Sequence, residues 1–286
     1  MRVLMVGATG RHGQWVLRAL ARRGVGVRAL VRNQERAQAA VESGAQEAII
    51  ADLTRPATLT EAMAGADGVF HIGPGQTSAE AEMGIAMVHA ARAAGVRKFV
   101  LSGVIHPSIS ALTNHTAKLP VEDALYTSEL DFTVLQPARF MQMLEDYWIV
   151  DDDRLALPYS ISSKMCWVDY RDVAEAAAMA MTDTALSYGT FELCAPGLID
   201  GRDIATILSE VTGRPITAVQ TPLDEFAAQP PEGPRRDGFK RMMVHYDRHG
   251  LPGGNALVLR AILGREPRTL RGYFLELADR GVTRTG

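Results

Sequence analysis

The sequence predicts an α/β protein built on a doubly wound parallel sheet, with a smaller α+β lobe toward its C-terminus. Three observations carry this. Short apolar runs alternate six times with helix-like segments, the pattern of a parallel sheet covered on both faces. The first run ends in Gly7, Gly10 and Gly13 and passes directly into an amphipathic helix. Beyond about Pro137 the alternation becomes irregular, as a second lobe would make it.

Residues 3–6 form the first strand, and the helix QWVLRALARR follows the glycines. VGVRALVR reads as the second strand and ERAQAAVESG as the second helix, ending at Gly44. Further strands fit EAIIAD, GVFHIG, KFVLSG and FTVLQP. Helices fit TLTEAMAG, AEAEMGIAMVHAARAAG and HTAKLPVEDALYTS. Crossovers between parallel strands are expected to be right-handed. Past Pro137 come a helix-like FMQMLEDYW, an acidic turn at Asp151, Asp152 and Asp153, a short apolar segment and MCWVDYRDVAEAAAMAM. A strand at FELCA, the helix RDIATILSEVTG, a strand at ITAVQ, a proline turn at Pro230 and a largely helical tail complete the chain. The boundaries implied are 1–137 for the large domain and 138–286 for the smaller lobe, with residues 168–181 returning to the large one.

A chain of 286 residues with 47% hydrophobic content can bury a substantial core. Its net charge of −3 supplies no general attraction to nucleic acid or an anionic membrane, so the expected partner is a small molecule. Cys166 and Cys194 are too few for a disulfide scaffold and lack metal-site spacing, so no metal is expected. No signal-peptide pattern and no bilayer-length apolar run occurs, and the expectation is a cytoplasmic protein, a monomer or a homodimer.

The glycine stretch carries the chemistry. Glycines let the backbone pass close to a ligand, and the first N–H groups of the following helix, with its dipole, favour an anion there. A phosphate or diphosphate is the natural occupant. No G-K-[ST] follows Gly7, so the lysine and hydroxyl of a nucleoside-triphosphate loop are missing. Ala8 and Thr9 both stand between the first two glycines, a departure from the general G-x-G-x-x-G dinucleotide form. Within this bend Gly7, Thr9, Gly10, Arg11, His12 and Gly13 are the candidate diphosphate contacts. A Rossmann-type fold reads its cofactor's ribose at the end of the second strand, and that place holds Arg32. A guanidinium can bond a 2′-phosphate that a carboxylate would repel, so NADP(H) is favoured over NAD(H). Glu35 lies close enough in sequence to suggest a pair with Arg32.

The string G-A-T-G-x-x-G at 7–13 resembles the opening of the short-chain dehydrogenase/reductase superfamily, in particular its atypical NmrA-like branch. The likeness continues through GVRKFVLSGV, HTAKLPVEDAL and SELDFTVLQPARFMQ, and more weakly through WVDYRDVAEAA and YGTFELCAPGLIDGRDIATILSEVTGR, so that it spans nearly the whole chain. The resemblance implies Asp52, Leu53, Ile72 and Gly73 as adenine-side and ribose-side contacts. It also implies Ser102, Lys118 and Pro137 as cofactor-side positions, with Lys118 donating to the nicotinamide ribose hydroxyls.

One departure matters. The main superfamily's reductases use a Tyr-x-x-x-Lys pair, and the residue four before Lys118 is Asn114. Tyr126 lies eight residues after Lys118, about two helical turns away. The general acid for ordinary ketone reduction is lost. Hydride transfer to an electron-poor quinone, azo bond or cationic dye is less demanding, because such an acceptor delocalises the incoming charge. Lys118 and His115 remain as candidate catalytic groups, His115 because an imidazole with pKa about 6.5 suits proton transfer. Phe140, Tyr147 and Trp148 are candidates for an apolar wall against a flat aromatic substrate. The resemblance therefore implies an NADPH-dependent reductase or, from a different class, a cofactor-sensing regulator that acts through a protein partner. A sugar-nucleotide epimerase, which needs the tyrosine missing at position 114, ranks third.

Overall fold

The computed structural model describes residues 1–75, 77–149, 152–226 and 230–280. The chain divides into two compact units. One comprises Met1–Pro137 with Val173–Glu192; the other comprises Ala138–Asp172 with Leu193–Gly286.

The elements run in chain order as β1 (Arg2–Val6), α1 (Gly13–Arg22), β2 (Gly26–Val31), α2 (Gln34–Glu42), β3 (Glu47–Ile50), α3 (Pro56–Ala62) and β4 (Gly68–His71). Then come α4 (Glu80–Ala93), β5 (Lys98–Ser102), α5 (Thr113–Thr116), α6 (Leu119–Tyr126), β6 (Asp131–Pro137), β7 (Arg139–Phe140) and β8 (Trp148–Ile149). They continue with β9 (Arg154–Leu157), β10 (Trp167–Val168), α7 (Tyr170–Thr182), β11 (Gly189–Leu193), α8 (Gly201–Thr212) and β12 (Thr217–Gln220). The last are α9 (Pro234–His249), α10 (Leu257–Leu263) and α11 (Leu270–Asp279).

In the first unit the sheet order is β11-β6-β5-β4-β1-β2-β3, and neighbours among β1 to β6 pair in parallel. This is the Rossmann-type order, which reverses direction beside β1, where open α/β sheets place their ligands. The register lines up Ile49, Leu30, Val6, His71, Leu101 and Val134 as one row across the sheet. Because the strands are parallel, the residues that follow this row all leave at the same edge.

Helix α1 shows why its sequence folds as it does. Its buried residues are Gly13, Val16, Leu17 and Leu20, a single stripe at helical spacing. One core joins Leu4, Val69, Phe99, Leu101 and Val134 of the strands to Leu59, Met63, Met87, Val88, Val121 and Leu125 of α3, α4 and α6. Strands β4 and β5 are buried along their whole length, which is why they read as continuous apolar runs rather than alternating ones.

Two segments differ from the sequence expectation. HTAKLPVEDALYTS does not form one helix but the turn α5 and then α6, with Ala117 and Lys118 between them. Pro120 cannot donate to the carbonyl four residues back and its ring collides with it, so a continuous helix is interrupted here. FMQMLEDYW is not a single helix either. Phe140 lies in β7, parallel to β10; Met141–Asp146 is a 3₁₀ turn; and Trp148 lies in β8, antiparallel to β9. These pairings join residues distant in sequence, and local periodicity carries no record of them. Of the acidic turn, Asp151 lies outside the described residues. Asp152 pairs with Arg154, and Asp153 with Arg214 at 2.6 Å.

The second unit holds a three-stranded sheet β12-β9-β8, the pair β7–β10, and helices α8 to α11. Helix α8 begins with a full capping box, Asp200 accepting from the Asp203 N–H and Asp203 accepting from the Asp200 N–H, and ends at Gly213 in the left-handed region. Cys166 and Cys194 are buried and form no disulfide. Arg139 is buried beneath four aromatic rings, Tyr147, Tyr159, Trp167 and Tyr246, each 5.0–5.2 Å from its guanidinium carbon. Among the described residues no carboxylate pairs with it. Ring faces offset part of the burial cost instead, at roughly 0.5–2 kcal/mol per cation–π contact.

Asp172, wholly buried, accepts hydrogen bonds from the Arg268 N–H at 2.6 Å, from the Arg268 guanidinium, and from Arg265 at 2.9 Å. Removing it takes one acceptor away from two guanidiniums and from an amide. Asp172→Ala is expected to cost about 3 kcal/mol, the low end for a broken buried pair because the arginine side chains are 36% and 33% exposed. Urea denaturation is the measurement, and Asp172→Asn, which keeps one acceptor oxygen, is expected to recover part of the loss.

Candidate functional site

The bend after β1 is closed to side chains. Gly7 has φ +82°, and its carbonyl accepts from the Gly10 N–H at 3.0 Å; Gln14 N–H then donates to Gly10 at 3.1 Å. A Cβ on Gly13 would lie 1.9 Å from the Gly7 carbonyl oxygen. One on Gly7 would lie 2.9 Å from the Ile72 carbonyl oxygen. A side chain at either position would force the backbone to shift, because the bend is pressed against itself and against the chain leaving β4. Thr9 and His12 are half-buried, Gly10 and Arg11 exposed. Burial pulls the His12 imidazole down to about 4. The first turn of α1 carries no acidic residue, so nothing opposes the partial positive charge at its N-terminus.

The other expected contacts leave the same edge. Arg32 follows β2 directly and is exposed; it forms no ion pair among the described residues, and the suggested pair with Glu35 is not made. Asp52 is exposed after β3, but one carboxylate oxygen is taken by Thr54, whose N–H donates at 2.9 Å and whose hydroxyl donates at 2.7 Å. These bonds, the amide first, hold its carboxyl below the usual range. Leu53 packs against the core. Ile72 and Gly73 are half-buried after β4, and Ser102 and Pro137 are buried at the ends of β5 and β6.

Between β4 and α6 lies a buried polar cluster. Lys118, whose side chain is 13% exposed, donates to the Glu80 carboxylate, itself 3% exposed. Burial pulls the Lys118 ammonium down to about 8, while the Glu122 carboxylate opposes that fall. Gln136 donates to both Glu122 oxygens at 3.0 and 3.1 Å, and the Tyr126 hydroxyl donates to one of them at 3.3 Å. Burial, the largest influence, nevertheless raises the Glu122 carboxyl. His71 is also buried here, its imidazole pulled down to about 3 by burial and then by Lys118, and its Nδ1 has no hydrogen-bond partner.

Helix packing explains how Glu80 reaches Lys118. Gly84 sits one helical turn after Glu80, and a Cβ there would meet Val121 Cγ2 at 2.5 Å. The missing side chain lets α4 and α6 approach closely, and the residues one turn before each contact, Glu80 and Lys118, are brought together. Sequence reasoning missed Glu80. Its signal was present, since Glu80 shares a helical face with the core residues Met83, Gly84 and Met87.

The remaining candidates are placed differently. His115 is 1% exposed, and its Nδ1 donates to the His106 carbonyl at 3.3 Å. In the second unit Tyr147 and Trp148 are 3% and 8% exposed. The Tyr147 hydroxyl accepts from Arg139 and its ring packs on Phe226, while Trp148 meets Phe274 edge to face. Both lie in the core of that unit, a correction to the expected aromatic wall, because each large ring is buried by residues distant in sequence. Phe140 packs on Tyr170 with ring centroids 4.2 Å apart and stays partly exposed. Among the described residues no group of three or more His, Cys, Asp or Glu is placed to hold a metal ion. No helix among them is long and apolar enough to cross a membrane.

The sequence matches the family model described as the NmrA-like family over residues 1–274. It is 30% identical over 230 residues to an NAD(P)H azoreductase of Xenophilus azovorans, covering 78% of each chain. The fold is similar to that of an NADPH-dependent quinone oxidoreductase of Escherichia coli complexed with NADPH, with TM-score 0.82 and 22% identity over 96% of this chain and 99% of that one. It is also similar to the negative transcriptional regulator NmrA in complex with NAD, with TM-score 0.79 and 19% identity over 96% and 94%.

Of all these positions Gly13 has the least freedom, since a side chain there meets backbone rather than a flexible side chain. Gly13→Ala is expected to destabilise the protein by about 1–3 kcal/mol through forced displacement of the bend. Thermal unfolding beside Gly10→Ala, whose Cβ would meet the Gly7 oxygen at a milder 3.2 Å, measures the difference.

Proposed function

The chain belongs to the NmrA-like family, and from that premise we propose that it is an oxidoreductase using a nicotinamide dinucleotide, NADP(H) in preference to NAD(H). It would transfer hydride to an electron-poor small molecule such as a quinone, an azo compound or a cationic dye. The glycine bend is the observation that carries this. It is a cradle that a Cβ would fill, faced by a helix start free of acidic residues. No carboxylate stands directly after β2 to repel a 2′-phosphate. The residues present therefore fit the cofactor.

Gly7, Thr9, Gly10, Arg11, His12 and Gly13 would hold the diphosphate, with Arg32 binding the 2′-phosphate. Leu53 and Asp52 would lie on the adenine side, and Ile72, Gly73, Ser102 and Pro137 toward the nicotinamide. When bound, the cofactor supplies the hydride. Lys118 would hydrogen-bond the ribose hydroxyls and thereby orient the ring, while Glu80 retains its ammonium. His115 would secure the chain at His106 rather than move a proton. Phe140, the partly exposed ring of the three aromatics, is the one retained as a substrate contact. With Asn114 in place of a tyrosine, and the Tyr126 hydroxyl bound to Glu122 and Thr190, the final proton would come from solvent.

Oxidation of NADPH with a panel of quinones, azo compounds and cationic dyes, beside titrations of NADPH and NADH, tests the proposal. Turnover with at least one acceptor supports it. Tight binding without turnover supports the sensing regulator instead, and no binding of either dinucleotide overturns both. Arg32→Ala is expected to weaken NADPH by about 1.5–3 kcal/mol, the loss of a charged hydrogen bond, and NADH far less. Equal losses would remove the 2′-phosphate role. Lys118→Ala is expected to raise the Kd for NADPH, and an unchanged Kd and turnover would remove Lys118 from the site.

A further inference from the structure

We propose that Glu80 is a positioning residue for Lys118: its carboxylate accepts from the ammonium, fixes it near the end of β4 and favours its charged form. The role toward cofactor rests on the function proposed above; the coupling of the two side chains does not.

A lysine buried to this degree loses hydration and is driven toward its neutral form. Burial pulls Lys118 down to about 8. A neutral amine would still hydrogen-bond, but with fewer and weaker donors toward a ribose. Glu80 is placed to oppose this. Its oxygen accepts directly from Lys118 Nζ, it lies in the first turn of α4 where the helix favours a carboxylate, and it is 3% exposed, so water screens the pair little.

Of the other titratable groups facing Lys118, Glu122 also opposes the loss of its proton, but without a direct bond to the ammonium among the described residues. On α6, Glu122 is occupied by Gln136 and Tyr126, and burial raises its carboxyl toward the neutral form. On β4, His71 is held neutral by burial and adds no charge near neutral pH. His115, on the turn before Lys118, donates from Nδ1 to the His106 carbonyl. The sign of the effect follows. Glu80 favours the charged amine, so its removal lowers the pH at which Lys118 deprotonates, and cofactor affinity then falls at a lower pH.

The experiment compares wild type with Glu80→Gln, Glu80→Asp and Glu82→Gln. Glu82 is an exposed acid on the same turn, and it controls for net charge. The Lys118 ionisation is followed by NMR of ¹⁵N-lysine-labelled protein, the signal being assigned by its absence in Lys118→Arg. NADPH binding is titrated by cofactor fluorescence from about pH 6 to 9.5, the range that brackets the lysine's ionisation. In Glu80→Gln the Lys118 midpoint is expected to fall by about one unit, which is a tenfold loss of the charged form above it. The Kd for NADPH should rise by about tenfold at pH 8.5 and much less at pH 6. Glu80→Asp should lie between, and Glu82→Gln should match wild type.

A Lys118 midpoint unmoved in Glu80→Gln overturns the proposal, as does a rise in Kd equal at every pH. If Glu80→Gln does not fold by circular dichroism, Glu80→Asp decides by the same two readouts. If wild type binds no NADPH at any pH, the cofactor role fails, and a lowered midpoint still upholds the coupling of Glu80 to Lys118.

Discussion

Where Gly13 passes the Gly7 carbonyl there is no room for a single carbon atom, and the arrangement of the sheet edge depends on that contact. A Cβ at 1.9 Å would force β1 and α1 apart. Because the same bend presses against Ile72, the displacement would carry to the end of β4, the strand beside β1 at the reversal of sheet order. The anion-favouring helix start and the exit of β4 are held in register by the close approaches of Gly13 to Gly7 and of Gly7 to Ile72, most of them to backbone atoms. Such contacts have no rotamers to adjust. The geometry of the bend is therefore set by the chain itself, and in the binding role proposed for it the ordering cost would be low.

A second constraint is the cost of buried charge, which the chain meets in three ways. Asp172 is matched by two guanidiniums and a backbone amide. Arg139 has no carboxylate partner among the described residues and lies under aromatic faces. Lys118 and Glu80 pair across two helices whose approach is permitted by Gly84. The first two sit inside the second unit and secure its packing. The third lies near the end of β4, among residues expected to contact cofactor, and in the role proposed for Lys118 the same electrostatics would bear on affinity and its pH dependence.

Much of the first unit was legible from local pattern. Strands buried on both faces read as continuous apolar runs, and α1 showed its stripe at Val16, Leu17 and Leu20. The break between α5 and α6 was also present in the sequence as Pro120, though the helical periodicity on either side concealed it. Beta pairing of residues 139–140 and 148–149 was not legible, since their partners at 167–168 and 154–155 are chosen by tertiary packing. Short strands of two residues have no period of their own.

What the sequence by itself determined was the alternation of elements, the glycine bend and the identity of Arg32 at the end of β2, because each is written in neighbouring residues. Only the tertiary structure decided that Lys118 meets Glu80, 38 positions away. It alone showed that Asp52 gives one oxygen to its own turn, and that Tyr147 and Trp148 are enclosed. The physical reason is the same in each case. Backbone conformation and apolar period are local properties, whereas the partner of a buried charge or ring is set by which helices and strands pack together.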